Sequence, residues 1–298
     1  MDIVRFKGGL GNQMFQYALL KSLSMQERDV RASVGFYDKN PCQASFCLKD
    51  VFPNVLFELV DENIFEEINE QWRIIKENTE ELGYFLKDYR HRFFWVEEQQ
   101  GTYDEHIFET NNCVFVGYWQ TDKYFRQIRK ELLQDFCFNK GDKKLDRLKE
   151  ILLNNNNYVS VHIRRGDYLK NPVIYGNICN ERYYDMAMAL VRENIDNPVF
   201  VFFSDEIGWV KEHYKYRDAI YIEADMFENY QTWYDMCLMS CCSCNIIANS
   251  TFSWWGAWLN QRPERKVIAP QPWFHQYEMP DICPDDWIRL SGILESNL

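Results

Sequence analysis

The chain has 298 residues, 46% hydrophobic and 26% charged, the make-up of an ordinary globular protein long enough for one large or two medium domains. Its 45 Asp+Glu against 33 Lys+Arg give a formal charge of −12. That balance excludes non-specific nucleic-acid binding and docking on an anionic membrane, since both need a broad basic field.

The opening "MDIVRFKGGLGNQMF" has neither the cationic start nor the sustained apolar core of a signal peptide. Residues 2–6 read as a strand and 12–26 as a helix, with the glycines at 8, 9 and 11 making the turn between them. Residues 61–100 are rich in aromatics and acids and are expected to be helical in part. "CVFVGYWQ", 113–120, reads as a strand. The polar run at 152–158 suits turns better than a helix interior, so the domain boundary is placed there, dividing 1–155 from 156–298.

The second half alternates regularly. Strands are expected at 158–165, 199–205, 219–225, 245–250 and 266–270. Helices fall between them at 182–194, 208–214, 231–242 and 253–261, the first with an apolar stripe through Tyr183, Met186, Ala187 and Leu190. Short strands alternating with helices imply βαβ units around a parallel sheet, a Rossmann-like layer in an α/β protein. No window approaches ~18 uninterrupted apolar residues, so no integral membrane segment is expected. Ten cysteines without a secretory signal suit reduced thiols, and the location is read as cytoplasmic.

Ligands of open α/β sheets sit beyond the carboxyl ends of the strands. Four polar clusters lie at such ends: "GGLGNQ", "HIRRGD", "FFSDE" and "NSTFSWW". The last three should converge on one edge of the second domain, with the first facing them across a cleft. Arg164 and Arg165 offer fixed bidentate donors that match phosphate oxygens and stay charged. The plainer alternative leaves one arginine solvated and pairs the other with Asp167. Ser250, Thr251 and Ser253 stand where a strand hands over to a helix, where backbone N–H groups bind phosphate. The same residues also suit simple N-capping. Asn12 and Gln13 open a helix after a glycine turn that does not fit G-x-G-x-x-G.

The thiols at 237, 241, 242 and 244 lack the paired C-x2-C spacing of zinc sites and read as buried small hydrophobes. Trp254, Trp255 and Trp258 read as core. Five histidines are scattered without H-E-x-x-H, so no metal is implied.

Taken together, "GGLGNQMFQYA", "HIRRGDY", "FVFFSDE" and "NSTFSWWGAWL", in this order and spacing, resemble the inverting α-1,2-fucosyltransferases of glycosyltransferase family 11, bacterial type. The likeness covers nearly the whole chain, with little contribution from 50–120. It implies a GT-B-like fold of two Rossmann-like domains facing across a cleft. Residues 1–155 would be the acceptor side, and 156–298 would bind GDP-fucose. It implies transfer of L-fucose from GDP-β-L-fucose to the 2-hydroxyl of a terminal galactoside, with no metal or other cofactor.

The same resemblance implies roles residue by residue. Arg164 corresponds to the family's essential arginine, with Arg165 beside it near the diphosphate. His162 is expected near the nucleotide. Asn12, with Gln13 next to it, belongs to the loop that reaches towards phosphate and sugar. Ser250, Thr251 and Phe252 match the segment beneath the phosphates. Asp205 belongs to the "SD" pair of the donor site, and Asp235 corresponds to an acid that reads the guanine N1–H and 2-amino group. Where the family often has a second Asp after that pair, this chain has Glu206, which weakens any role for the position.

GDP leaves only if its developing charge is stabilised, and the two arginines, Asn12 and the N–H groups near Ser250 could do this without a metal. Inversion also needs the acceptor hydroxyl deprotonated. Asp167 is the nearest motif carboxylate, as base or as partner of an arginine. The alternatives are a transferase using another GDP-hexose and a non-catalytic nucleotide- or glycan-binding module.

Overall fold

The computed structural model describes residues 1–39, 45–61, 93–97 and 99–293 and, between these, 63–64, 66–67, 70, 73 and 86–87. The chain forms two compact units, Met1–Asn139 with Pro280–Ile282, and Lys140–Met279 with Cys283–Leu298.

The first unit carries a six-stranded sheet built from β1 (Asp2–Arg5), β2 (Val30–Ser33), β3 (Glu58–Leu59), β4 (Leu86–Lys87), β5 (Phe93–Val96) and β6 (Cys113–Val116). Their order is β3-β2-β1-β6-β5-β4, parallel except for the β4–β5 pair. The helix Leu10–Ser24 is buried almost all round, from Met14 to Leu20 without interruption. A helix apolar on every side belongs inside a layered domain rather than on its surface. The strand at 93–96 lies within a stretch read only as aromatic, acidic and partly helical. Among its described residues 63–64, 66–67, 70 and 73 are helical.

The second unit contains β7 (Tyr158–Ile163), β8 (Val199–Ser204), β9 (Ala219–Tyr221), β10 (Cys244–Ile246), β11 (Lys266–Pro270) and β12 (Ile288–Leu290). All pairs are parallel, in the order β12-β11-β10-β7-β8-β9. Counted from β7 this is the doubly wound order 3-2-1-4-5-6, whose direction reverses between β7 and β10. Both faces of β7 and β8 are buried, which is why these strands read as continuous apolar runs rather than alternating ones. The helix Lys143–Leu153, N-terminal to the asparagine run, belongs to this unit: its N-cap Asp142 accepts from Lys144 and Leu145, and the Asp142 N–H donates to the Tyr234 hydroxyl.

A buried polar chain pins the two central strands in register. Asn245 Nδ2 donates to Ser160 Oγ, its ladder partner, at 2.7 Å, and Asn260 Nδ2 donates to Asn245 Oδ1 at 2.9 Å. A one-residue slip would strand these buried groups.

The helix Glu181–Asn194 buries Tyr183, Tyr184, Ala187, Met188 and Val191. The expected stripe was one position off: Met186 is 37% exposed and Leu190 is only partly buried. Tyr184, Met188 and Val191 take the inner face because the sheet approaches that side. Cys237, Cys241, Cys242 and Cys244 are buried, and the Cys241 and Cys242 thiols donate to backbone carbonyls four residues back. Trp254, Trp255 and Trp258 are core. Among the described residues no helix is long and apolar enough to cross a membrane.

Candidate active site

Ile163 and Ser204, the last residues of β7 and β8, are ladder partners, so the residues that follow emerge side by side. Asp205 Oδ1 accepts the Arg165 backbone N–H at 3.0 Å, and its Oδ2 lies 3.3 Å from Arg164 Nη1. Glu206 Oε2 accepts from Arg165 Nε at 2.9 Å, while the Arg165 guanidinium carbon stands 3.4 Å from the centroid of the Trp209 ring. These ion pairs are partly exposed and contribute on the order of 1 kcal/mol or less each to stability. Their consequence is geometric: Arg165 is held edge-on by a carboxylate and face-on by an indole, a fit a lysine could not copy.

Glu206 therefore has a place that its departure from the family pattern had obscured. Asp205, expected at the donor, uses one oxygen on each arginine. Asp167 lies in the short helix Gly166–Lys170, and its side chain is outside the described residues.

Gly166 has a spatial reason to be glycine. A Cβ there would come within 2.6 Å of Asp205 Oδ2. Gly166→Ala is expected to push that carboxylate off Arg164 and lower kcat by about 10- to 100-fold, as small misplacements of reacting groups do. Steady-state kinetics on the folded variant check this, and an unchanged kcat would show that the Asp205–Arg164 contact has no catalytic weight.

His162 is buried within β7, its ring 6.0 Å from that of Phe252 by centroids. Burial, with the Arg164 cation adding to it, pushes the imidazole down to about 3. It is a neutral group at physiological pH and a poor proton acceptor. Its buried Nδ1 has no hydrogen-bond partner among the described residues.

On the other side of β7, β10 leads through Asn249 to the helix Thr251–Trp258. Ser250 holds the N-cap position, yet its hydroxyl makes no capping bond. Asn249 is braced instead, its Nδ2 donating to Trp273 O at 3.0 Å and its own carbonyl accepting from Tyr168 at 2.7 Å. The three clusters of this unit thus follow three adjacent strands at the point where strand order reverses.

Asp235 sits in the first turn of the helix Trp233–Met239 and is buried. Burial pushes its carboxyl up to about 7, a hydrogen bond from the Tyr230 hydroxyl acting the other way. Its Oδ1 is buried without a partner among the described residues. An orphaned buried acceptor of this kind suits donors brought by a ligand.

A cavity of about 280 Å³ opens beside the arginines, walled by Arg164, Arg165, Tyr168, Tyr175, Trp209 and Asn249. Tyr168 and Tyr175 stack with ring centroids 4.2 Å apart. Of the described residues that the sequence singled out, the two arginines line this cavity, with Asn249 at the head of "NSTFSWW". Tyr168 could have been found as the last residue of "HIRRGDY"; Trp209 and Tyr175 carried no comparable signal.

In the first unit, Gly8 is in the left-handed region (φ 81°) and Gly9 caps the helix Leu10–Ser24. Gln13 is fully buried and braces the loop. Its Nε2 donates to Gly8 O and Ser45 O, and its Oε1 accepts from the N–H groups of Cys47 and Leu48. Asn12 is half-buried, its Oδ1 accepting from Gln120 Nε2 at 2.9 Å. The structure thus brings Arg164, Arg165 and Asp205 into contact and places Asn12 and Gln13 in the other unit.

A model of the family described as Glycosyl transferase family 11 matches residues 1–291. An alpha-1,2-colitosyltransferase of Escherichia coli is 33% identical, over 97% of this chain and 98% of its own. The O-antigen biosynthesis glycosyltransferase WbnK of Escherichia coli is 29% identical, over 95% and 98%. The galactoside 2-alpha-L-fucosyltransferase SEC1 of Bos taurus is 26% identical, over 86% of this chain and 63% of its own. With the sheet-end arginines on one unit and the glycine turn on the other, a match running nearly end to end places this chain in glycosyltransferase family 11.

Proposed function

We propose that this glycosyltransferase moves L-fucose from GDP-β-L-fucose to the 2-hydroxyl of a terminal galactoside, with inversion and without a metal. The observation that carries the reading is the paired guanidinium site at the strand-order reversal, fixed by Asp205, Glu206 and Trp209. It suits a diphosphate leaving group, and the mammalian relative is named for fucosyl transfer to galactosides.

In this mechanism Arg164 and Arg165 bind the diphosphate and take up the charge that grows on GDP as the bond to the sugar C1 breaks. The N–H groups at the start of the Thr251–Trp258 helix, which no side chain caps, add donors there. His162 stays neutral beneath the nucleotide, and Asp235 accepts from guanine. The acceptor 2-hydroxyl attacks C1 from the opposite face and gives its proton to Asp167, the proposed base. Asp167→Asn is expected to flatten the acid limb of the kcat/KM pH profile while slowing turnover; a normal profile at normal rate removes it from that role.

A second reading, transfer of GDP-linked colitose, is favoured by the Escherichia coli relative named a colitosyltransferase. Incubation with GDP-fucose, GDP-colitose and GDP-mannose against a panel of β-galactosides, with linkage analysis, separates the two. The fucosyl reading expects an α-1,2-fucosylated product that still forms in EDTA. Donor binding without GDP release on adding any acceptor would instead identify a non-catalytic module.

A further inference from the structure

The helix Ile207–His213 follows the end of β8 closely, and its first turn carries Trp209 to the guanidinium of Arg165. The indole is itself held. The His213 ring stacks on it with centroids 3.8 Å apart and planes 18° apart, and His213 Nδ1 donates to Trp209 O at 2.8 Å. The Arg165 guanidinium carbon lies 3.4 Å from the centroid of the Trp209 ring. Two groups in van der Waals contact with one ring centre cannot share a face, so imidazole and guanidinium lie on opposite sides of the indole.

Two further bonds fix the rest of Arg165. Its backbone N–H donates to Asp205 Oδ1, and its Nε donates to Glu206 Oε2 at 2.9 Å. Glu206 is placed in turn by its own N–H, which donates to Ser204 Oγ at 3.0 Å. A guanidinium has five N–H donors, and here Nε is taken and one face is covered. Among the described residues, Arg165 Nη1 and Nη2 donate to none. Arg165 and Trp209 both wall the cavity of about 280 Å³.

We infer that Trp209 is a positioning residue for Arg165, holding its Nη1–Nη2 edge ready for the diphosphate of the GDP-sugar. This rests on the proposed function, in which Arg165 meets that diphosphate. A free arginine side chain samples many rotamers and loses that freedom when it binds an anion; clamped, it has lost it beforehand. The indole suits this task because it takes a flat cation face-on and occupies no N–H, so every remaining donor stays open to phosphate.

The test is a double-mutant cycle of Trp209 variants against Arg165→Ala, read in kcat with saturating GDP-sugar and in GDP affinity by calorimetry. Trp209→Leu removes the aromatic face and Trp209→Phe keeps one. Neither alters the charge of the site, so a change in affinity reports the placement of the guanidinium. Arg165→Ala is expected to lower kcat by about 10- to 100-fold and to weaken GDP binding. Trp209→Leu should lower kcat by about 10-fold and weaken GDP binding, with acceptor KM little changed, and Trp209→Phe should recover most of both losses. In the Arg165→Ala background both Trp209 variants should have less than about a twofold further effect on either quantity, because the residue they act through is gone.

Three results would each overturn the inference and leave the proposed function intact. They are losses that multiply with Arg165→Ala, a folded Arg165→Ala or Trp209→Leu enzyme with native kcat and GDP affinity, and a Trp209→Phe enzyme as impaired as Trp209→Leu. If Trp209→Leu fails to fold, Trp209→Met, which fills more of the volume, decides by the same criteria. If the wild type turns over neither GDP-fucose nor GDP-colitose with any β-galactoside, the proposed function fails, and the calorimetric cycle still decides the role of Trp209. A wild type that does not bind GDP defeats both.

Discussion

Arg164→Ala is expected to lower kcat by about 100-fold or more, and Arg164→Lys to recover little of that loss. The reason lies in what the leaving group needs. In the proposed reaction charge gathers on the diphosphate as GDP departs, and a donor aimed at it beforehand is typically worth roughly 3–4 kcal/mol in the transition state. Arg164 is aimed by Asp205, whose other oxygen accepts the Arg165 backbone N–H and so fixes the carboxylate, while Glu206 holds the Arg165 guanidinium. A lysine keeps the charge and loses the planar fork; its ammonium would turn towards Asp205 rather than span two phosphate oxygens. Steady-state kinetics on both variants, with melting temperatures to confirm folding, check the expectation. Near-native turnover in folded Arg164→Lys would remove the guanidinium from the account.

The second large effect concerns Asp235. Asp235→Asn is expected to weaken GDP-fucose binding by about 10- to 100-fold, one bond to a charged acceptor being worth roughly 1.5–3 kcal/mol. It should also abolish a pH dependence expected of the wild type. The carboxyl is pushed up to about 7 by burial. Below that value it is mostly protonated and cannot accept two N–H donors from guanine; above it, it can. Wild-type affinity should therefore rise from pH 6 to pH 8, and the Asn variant should be flat.

The sign for folding is opposite. Between the ordinary carboxylate range and about 7 the folded chain holds a proton that the unfolded chain has released. The contribution to stability is thus full at low pH and is lost as pH rises through 7. Ligand-free Asp235→Asn should lose less stability than wild type over that interval. Calorimetry with GDP-fucose and chemical denaturation without it check the two halves. Flat wild-type affinity, or a variant that binds like wild type, would show that Asp235 does not read the base.

Strand positions in the second unit were legible because a parallel sheet buried on both faces leaves continuous apolar runs such as "YVSVHI" and "VFVFFS". The stripe on Glu181–Asn194 was read one residue out, since sequence spacing alone does not say which side the sheet approaches. Trp209 was invisible as a site residue. Nothing local distinguishes an indole that packs in the core from one that carries a guanidinium at 3.4 Å. In the first unit, Gln120 looked like the end of a strand; its bond to Asn12, 108 residues away, depends on β1 and β6 lying side by side.

By itself the sequence determined the alternation of elements, the glycine turn, and the stations where strands end in polar residues. These follow from periodicity and local backbone chemistry. Only the tertiary structure decided which carboxylates hold the arginines. Asp205 and Glu206 come from about 40 residues away because the β7–β8 register sets Ile163 against Ser204. Pairing across a sheet is fixed by register and strand order, and neither is written in the spacing of any one segment.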